Sequence, residues 1–466
     1  MGTERIHFIG IGGYGMSGLA RVLLSLGHPV TGSDIRLSER VRGLRQMGAV
    51  INVGHRVENL DGAEMVVYST DVPEDNPELA AARERNLPVF HRSEILAGLI
   101  NGGRGIAVTG THGKTTITTM IGLILIGAGV DPTVVVGAEV PALGSNARLG
   151  LGGYVVAEAD ESDASFLRYR PEIAVVSNME PEHLDHYGGD FERVVEAYGR
   201  FLAGVKAGGL CLLGGDSPRL RLLGGAHGGR RLYYGLGAGN DLLAEALCSE
   251  GGESRYRVRL GAKPLGEVKL RVPGRHNVVN SLAAIGVAME TGLDFAVCQR
   301  VLEQFAGAKR RFEVLASAGG IRVVDDYAHH PSEIGATLQA ARELEPKRLI
   351  AVFQPQRYVR THLLLHDFAE AFGDADRVVL ADIYSPPGEK PIPGVSSARL
   401  AELISAKGRE VIHIAKNEDI TTYLQTIIRP GDTVITMGAG DIWSVAQALA
   451  ESLVEGGRCL ELGVGS

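Results

Sequence analysis

The sequence predicts an α/β protein of several domains, built mainly on parallel sheets covered by helices. Three observations predict it. At about 100 to 200 residues per domain, a chain of 466 residues implies two to four domains. Short apolar runs ending in Gly or Asp alternate with helical patterns almost throughout, as crossovers between parallel strands require. The composition is globular, 45% apolar and 22% charged, and its 63 glycines show no Gly-X-Y period, so they serve turns and close backbone approaches.

The first block covers residues 1–103. It opens with the strand Ile6 to Ile9, then Gly10-x-Gly12-x-x-Gly15 and a helix, and Asp34 ends the next strand. This is a dinucleotide-type fingerprint in its required context: glycines let backbone approach a pyrophosphate, the helix start offers unpaired N–H groups, and the acid can take ribose hydroxyls. NAD and a nucleotide-sugar present the same two phosphates, so the fingerprint leaves both open. The block closes at Asn101-Gly102-Gly103-Arg104, where a helix gives way to a new strand, Gly105 to Val108.

The second block covers residues 104–310. Gly110-Thr111-His112-Gly113-Lys114-Thr115-Thr116 lies between that strand and a helix beginning near Thr115, and it reads as a short phosphate loop. Backbone N–H groups would cradle phosphates, Lys114 would add charge, and Thr115 could ligate Mg²⁺. Val108 stands where the longer Walker pattern has Gly. The strand Tyr154 to Val156 then runs into Glu158-Ala-Asp160-Glu161-Ser162-Asp163, four carboxylates in six residues, which are costly unless cations or donors meet them. The strand EIAVVSN leads to Asn178 and to MEPEHLDHYG, with His183, Asp185 and His186. From Gly214 to Arg275, glycine-rich turns and the alternating RYRVRL and EVKLRV predict hairpins rather than crossovers. Helices follow over Asn277–Glu290 and Phe295–Phe305. Asn277 and Asn280, three apart, share a face at the first turn, where an amide can read a base or cap the helix. Lys309-Arg310-Arg311-Phe312 marks the next boundary, either as a solvated hinge or as a guanidinium reaching a phosphate.

The third block, residues 311–466, predicts another doubly wound sheet from the strands IRVVDD, RLIAVF, RVVLAD and DTVITM. The first ends in Asp325-Asp326-Tyr327-Ala328-His329-His330, candidates for ribose and reaction-centre contacts. The second runs into Gln354-Pro355-Gln356-Arg357-Tyr358-Val359-Arg360-Thr361, whose two arginines just before a helix suit a substrate carboxylate or a neighbouring acid.

Charge and cysteines exclude other classes. Lys plus Arg number 47 against 55 Asp plus Glu, a net −8 without a basic run, so no footprint for nucleic acid is present. Cys211, Cys248, Cys298 and Cys459 have no CxxC spacing, which argues against zinc and disulfides and predicts buried thiols in a reducing compartment. No signal peptide is visible, and the apolar run Met120 to Val130 is too short for a bilayer, so the expectation is a cytoplasmic protein without membrane insertion.

Taken together, the blocks GIGGYGMSGLA, GTHGKTT, EADESDASF, NMEPEHLDHY, GRHNVVNSLAA, KRRF, DDYAHHPSE, QPQRYVRT, PIPGVSS and MGAGDIW resemble, in the same order, those of the Mur ligases. The resemblance covers essentially the whole chain. It implies three domains: an N-terminal Rossmann-like domain for a UDP-sugar, a central P-loop ATPase with a parallel sheet, and a C-terminal Rossmann-like domain that closes and admits the amino acid. It is greatest to the members that join L-alanine to UDP-N-acetylmuramate with ATP, in peptidoglycan precursor synthesis and hence cell-wall biogenesis and division.

The resemblance further implies the roles of particular residues. UDP-sugar would meet Gly10, Gly12, Gly13, Gly15, Met16, Ser17, Asp34, Ser69 and His112. ATP would meet Gly110, Thr111, His112, Gly113, Lys114, Thr115, Thr116, Asn277, Asn280, Arg311 and Asp326. Mg²⁺, or Mn²⁺ in its place, would be held by Thr115, Glu158 and His183, and alanine by Tyr327, His329, Arg357 and Arg360. Lys114, Glu158, His183, His329, Arg357 and Arg360 form the expected catalytic set, and the protein would be a monomer or homodimer. In the arginine segment Gln356 stands where the family has His and Val359 where it has Thr. A related ligase that attaches a recycled peptide would lack QPxRYxRT. An NAD-dependent oxidoreductase would leave Lys114 and Glu158 unexplained, and a catalytically silent nucleotide-binding protein would be expected to lose them.

Overall fold

The computed structural model describes residues 4–182, 184–385 and 389–462, with only the backbone of Asp185 and of residues 455–462. Two compact units appear: Met1–Ala246 with Tyr256–Val268 and Val279–Gln304, and a second of Leu247–Arg255, Lys269–Val278 and Phe305–Ser466.

Three sheets carry the chain. The first has five strands in the spatial order Val50–Val53, Val30–Asp34, Ile6–Ile9, Met65–Tyr68, Val89–His91, every neighbouring pair parallel. Ile6–Ile9 is buried along its length, as a central parallel strand covered on both faces must be. The chain leaves its carboxyl end as the turn before helix Tyr14–Ser25, at the point where the strand order reverses.

The second sheet has ten strands. Ile173–Val176, Arg104–Thr109, Tyr154–Glu158 and Thr133–Val140 lie side by side in parallel, so the loops after Thr109, Glu158 and Val176 leave one edge. Ser145–Arg148 closes one side as an antiparallel edge. On the other side the structure corrects an expectation. The stretch predicted as hairpins begins with a crossover: helix Pro218–Ala226 connects Leu210–Gly214 to the parallel strand Arg230–Gly235. Ser217 caps that helix and Pro218 fits its first turn, signals masked by the glycines around it. Only Leu242–Glu250, Glu253–Leu260 and Lys263–Leu270 follow one another as neighbours joined by short turns.

The third sheet runs Glu313–Ala318, Ile321–Asp326, Asp432–Met437, Arg348–Phe353, Arg377–Leu380, Glu410–His413, with the first pair antiparallel and the rest parallel. Its four inner strands are the predicted ones. The two edges, Glu313–Ala318 and Glu410–His413, bury little side chain and lack the continuous apolar run that reveals a covered strand. Cys211 and Cys298 are buried as expected, but Cys248 is exposed, because it lies near the end of a strand that leaves the core. Among the described residues no helix is long and apolar enough to cross a membrane.

Candidate active site

Two helices start without a side-chain cap directly after glycine turns. Gly13 precedes Tyr14–Ser25 and Gly113 precedes Lys114–Gly127, and neither first turn holds an acid. Side chains cap the helices beginning at Glu39, Pro77, Arg92, Phe191, Pro218, Phe295, Pro331 and Ser397. The helices beginning at Tyr358, Leu365 and Asn417 also lack a side-chain cap but follow no glycine; the two glycine-loop starts, where backbone can approach closely, offer their N–H groups to an external anion.

At the first of these, a Cβ on Gly12 would sit 2.8 Å from Asp34 Oδ2 and 2.9 Å from Val41, which is why glycine is needed. The Gly12 N–H donates to Asp34 Oδ2 at 2.8 Å, so Asp34 holds the turn as well as standing at its mouth. Gly10 takes φ +73°, a left-handed conformation that glycine adopts without strain. Met16 and Ser17 are buried, and the Ser17 hydroxyl is engaged by Tyr14 O and Asn146. Ser69 is buried at the end of the adjacent strand.

At the second, Lys114 folds back over its own loop. Its Nζ donates to Gly110 O at 2.6 Å, to Thr111 O at 3.2 Å and to Glu161 Oε1 at 2.7 Å. Burial opposes the charge, but Glu161 and Asp160 outweigh it and hold Lys114 as an ammonium ion. Glu161 is 4% exposed; burial and the neighbouring Asp160 push its pKa up, while Lys114 holds it back. Thr109 Oγ1 also donates to Glu161, and Tyr187 OH to its carbonyl. The loop's other side is fastened to the segment after Val176: His112 N–H donates to Asn178 Oδ1 at 2.8 Å, and Glu180 N–H to Thr111 Oγ1 at 2.9 Å. The His112 ring meets Glu180 at 3.1 Å. A Cβ on Gly113 would come within 2.5 Å of Asn280 Oδ1, so Asn280 lies directly against the loop. Thr115 and Thr116 are buried at the helix start.

Donors meet each carboxylate of the acidic segment, which resolves their expected cost. Glu158 accepts from Gly137 N–H at 2.6 Å, Asp160 from Arg92 at 3.0 Å, and Asp163 from Thr70 at 2.7 Å. Burial works against Asp160, yet Arg92, Lys114 and Ser162 bring its pKa down to about 2. Arg92 went unnoticed in the sequence, and Asp160 and Glu161 stood there only as members of an acidic run, without the partners that Arg92 and Lys114 prove to be. His183 lies outside the described residues.

In the second unit, Tyr327–His329, Gly438–Asp441 and Gln354–Arg360 leave the same edge of the third sheet, since Asp326 and Phe353 both stand in register with Met437. Burial pushes Asp326 up to about 6, against the pull of Arg311 and the N–H groups of Ala328 and Phe312. Arg311 lies over the Tyr327 ring, 5.1 Å from its centroid. Arg310, in a segment read either as a solvated hinge or as a guanidinium reaching a phosphate, is a tether: it bonds Asp325 at 2.9 Å and the carbonyls of Gly438 at 2.6 Å and Gly440 at 3.3 Å. Arg310 and Phe312 both have positive φ, 60° and 51°, so the backbone reverses on either side of Arg311. His329 Nδ1 lies 2.9 Å from Tyr327 O. Asn277 donates to Pro273 O at 2.7 Å.

The arginine segment differs from its expected form. Arg357 is the residue before the helix, at φ 68°, and the helix Tyr358–Leu363 has six residues with Arg360 in its last turn. The two guanidiniums therefore do not share a helix start, and so short a helix adds little dipole. Arg360 Nη1 instead donates to Gln356 Oε1 at 2.8 Å, the residue where the family has His.

Comparison with known proteins places this geometry. Three family models match in order: Mur ligase family, catalytic domain over residues 5–104, Mur ligase middle domain over 108–288, and Mur ligase, glutamate ligase domain over 310–440. A UDP-N-acetylmuramate–L-alanine ligase of Symbiobacterium thermophilum is 52% identical over 97% of this chain and 95% of its own. One from Trichlorobacter lovleyi is 46% identical over 97% and 99%. Among solved structures, the UDP-N-acetylmuramate–alanine ligase of Thermotoga maritima superposes with TM-score 0.84 at 30% identity, covering 97% of this chain and 99% of that one. A murein peptide ligase of Psychrobacter arcticus gives 0.72 at 26% identity over 97% and 98%.

Proposed function

The chain belongs to the Mur ligase family, and we propose that within it this protein joins L-alanine to the carboxylate of UDP-N-acetylmuramate at the expense of ATP, in peptidoglycan precursor synthesis. The observation that carries the reading is the pair of uncapped glycine-loop helix starts, one per phosphate-bearing substrate, the second holding Lys114 over its own loop. A dehydrogenase needs only the first. Identity near half over the full length with ligases named for L-alanine favours that amino acid over a recycled peptide.

We assign residues 1–103 to the UDP-sugar, 104–310 to ATP, and 311–466 to the amino acid and closure. A carboxylate is a poor acylating agent. ATP's γ-phosphoryl passes to it, giving an acyl phosphate and ADP; the alanine amine then attacks the acyl carbon, and phosphate leaves from the tetrahedral intermediate. Lys114 neutralises charge on the transferring phosphoryl, and the N–H groups at the uncapped start of Lys114–Gly127 orient it. Asn277 and Asn280 face the adenine, Asp326 the ribose, and Arg311 the phosphates. Arg357 and Arg360 take the alanine carboxylate, and Tyr327 and His329 lie beside the amine, which must lose a proton to attack.

The Thr115 hydroxyl and the Glu158 carboxylate are hard oxygen donors of the kind Mg²⁺ prefers, and Gly137 leaves Glu158 the room a side chain would fill, a Cβ there lying 2.8 Å from Oε2. Mg²⁺ held there would screen phosphate charge. With ATP as a substrate, the protein works in the cytoplasm. The test is the choice of acceptor: ATP-dependent phosphate release with UDP-N-acetylmuramate should be supported by L-alanine and not by L-alanyl-γ-D-glutamyl-meso-diaminopimelate. The reverse preference would assign the protein to peptide recycling.

A further inference from the structure

We propose that Arg92 is a positioning residue that neutralises Asp160 beside the ATP loop while standing at the mouth of the UDP-sugar loop, so that one side chain serves both phosphate sites. The proposal rests on the substrate assignment above. Arg92 opens the helix Arg92–Gly102, in the UDP-sugar block, and belongs to none of the motifs that suggested function. Its Nη2 donates at 3.0 Å to Asp160 Oδ2, in the acidic segment of the ATP block. The same guanidinium lies against Gly15: a Cβ there would be 3.2 Å from Nη1. It therefore stands at the uncapped first turn of Tyr14–Ser25, where a pyrophosphate would sit.

Three further hydrogen bonds join the same two blocks. Asn146 Nδ2 donates to Tyr14 O at 2.7 Å and to Ser17 Oγ at 3.0 Å, and Thr70 Oγ1 to Asp163 at 2.7 Å. Asp160 is the neighbour of Glu161, which grips Lys114. An uncompensated carboxylate at that position would repel the incoming triphosphate and compete for Lys114. Arg92 cancels that charge from the sugar side.

The sign of each variant follows. Arg92→Gln leaves only Lys114 and the Ser162 N–H to meet the Asp160 charge, so Asp160 draws on the lysine meant for phosphate and the KM for ATP should rise by about ten-fold, within the ordinary range of site-to-site coupling. The KM for UDP-N-acetylmuramate should rise as well, because positive charge leaves the helix start. Adding Asp160→Asn removes the stranded charge: the KM for ATP should return to within about two-fold of wild type, while that for the UDP-sugar stays raised. Arg92→Lys keeps the charge and should rescue ATP more than Arg92→Gln does. A merely structural bridge would predict no such recovery, since the double variant lacks the ion pair altogether.

Calorimetric binding of ADP to the full chain reads the same effect without turnover, and melting curves establish that each variant is folded. If Arg92→Gln fails to fold, Arg92→Lys and the double variant carry the comparison. An ATP KM and ADP affinity unchanged in Arg92→Gln, or left impaired in the folded double variant, would overturn the proposal. A wild-type protein that binds ADP but turns over no UDP-N-acetylmuramate would instead overturn the substrate assignment, leaving the ADP comparison to judge Arg92.

Discussion

Lys114→Met removes the charge that the phosphate loop is folded around. Turnover should fall by at least the 10² to 10³ that one donor to a developing charge commonly contributes, roughly 3 to 4 kcal/mol. A second effect is peculiar to this structure. Lys114 holds Glu161 at 2.7 Å, and Glu161 is 4% exposed. Left ionised with only the Thr109 hydroxyl to meet it, such a buried carboxylate costs up to about 3–5 kcal/mol. It escapes by taking a proton, at about 1.4 kcal/mol for each unit by which its pKa climbs. Its folded pKa already lies above the ordinary 4.5, through burial and Asp160. A group raised in the folded state contributes stability that is fully present below its unfolded pKa and is lost as pH rises through the folded one. The gap in Tm between Lys114→Met and wild type should therefore widen from weakly acidic toward alkaline pH. Differential scanning calorimetry across that range measures it. Adding Glu161→Gln should recover most of the lost stability at every pH without recovering turnover. A gap independent of pH, or a double variant no more stable than the single, would refute the account of this pair.

Other variants probe the remaining sites. Gly12→Val places carbon against Asp34 and Val41, already 2.8 and 2.9 Å from a Cβ, and should weaken UDP-N-acetylmuramate binding while leaving ADP binding nearly intact, both by calorimetry. Arg360→Lys loses the planar fork that Gln356 orients at 2.8 Å and should raise the KM for alanine about ten- to a hundred-fold, the value of one charge-assisted bond, with a smaller rise in Gln356→Ala. Asp326, raised to about 6, forfeits stability as pH climbs from its ordinary 3.8 through that value, so Asp326→Asn should flatten the dependence of Tm on pH in this window. Arg310→Met strands the buried Asp325 and frees the carbonyls of Gly438 and Gly440, so kcat should fall with thermal stability, whereas exposed Lys309→Met should change neither.

Much of this was legible in the sequence because its strongest signals are local. An apolar run such as Ile6–Ile9 or Arg104–Thr109, followed by glycines and a helical pattern, specifies strand, turn and helix start within about ten residues. The phosphate loop and the carboxyl edge of the third sheet came from that. What stayed hidden depends on contacts distant in the chain or on conformation. Arg92 and Asp160 are 68 residues apart, and nothing in EADESD says which acid turns inward. Arg310 looks like its neighbours Lys309 and Arg311 until the positive φ at Arg310 and Phe312 sends the side chains apart. Arg357 and Arg360 share the spacing of a helix face, but the helix starts between them and ends after six residues. The crossover through Pro218–Ala226 was obscured because glycines within and around a short helix imitate turns.

The measurement that tests the central claim most directly is phosphate release from ATP by the purified protein, with each substrate omitted in turn and the product weighed by mass spectrometry. The account predicts release only when ATP, UDP-N-acetylmuramate and L-alanine are all present, in step with a product heavier than the UDP-sugar by one alanine residue. Release that proceeds at the same rate without L-alanine, or no such product from a folded protein that binds both nucleotides, would contradict it.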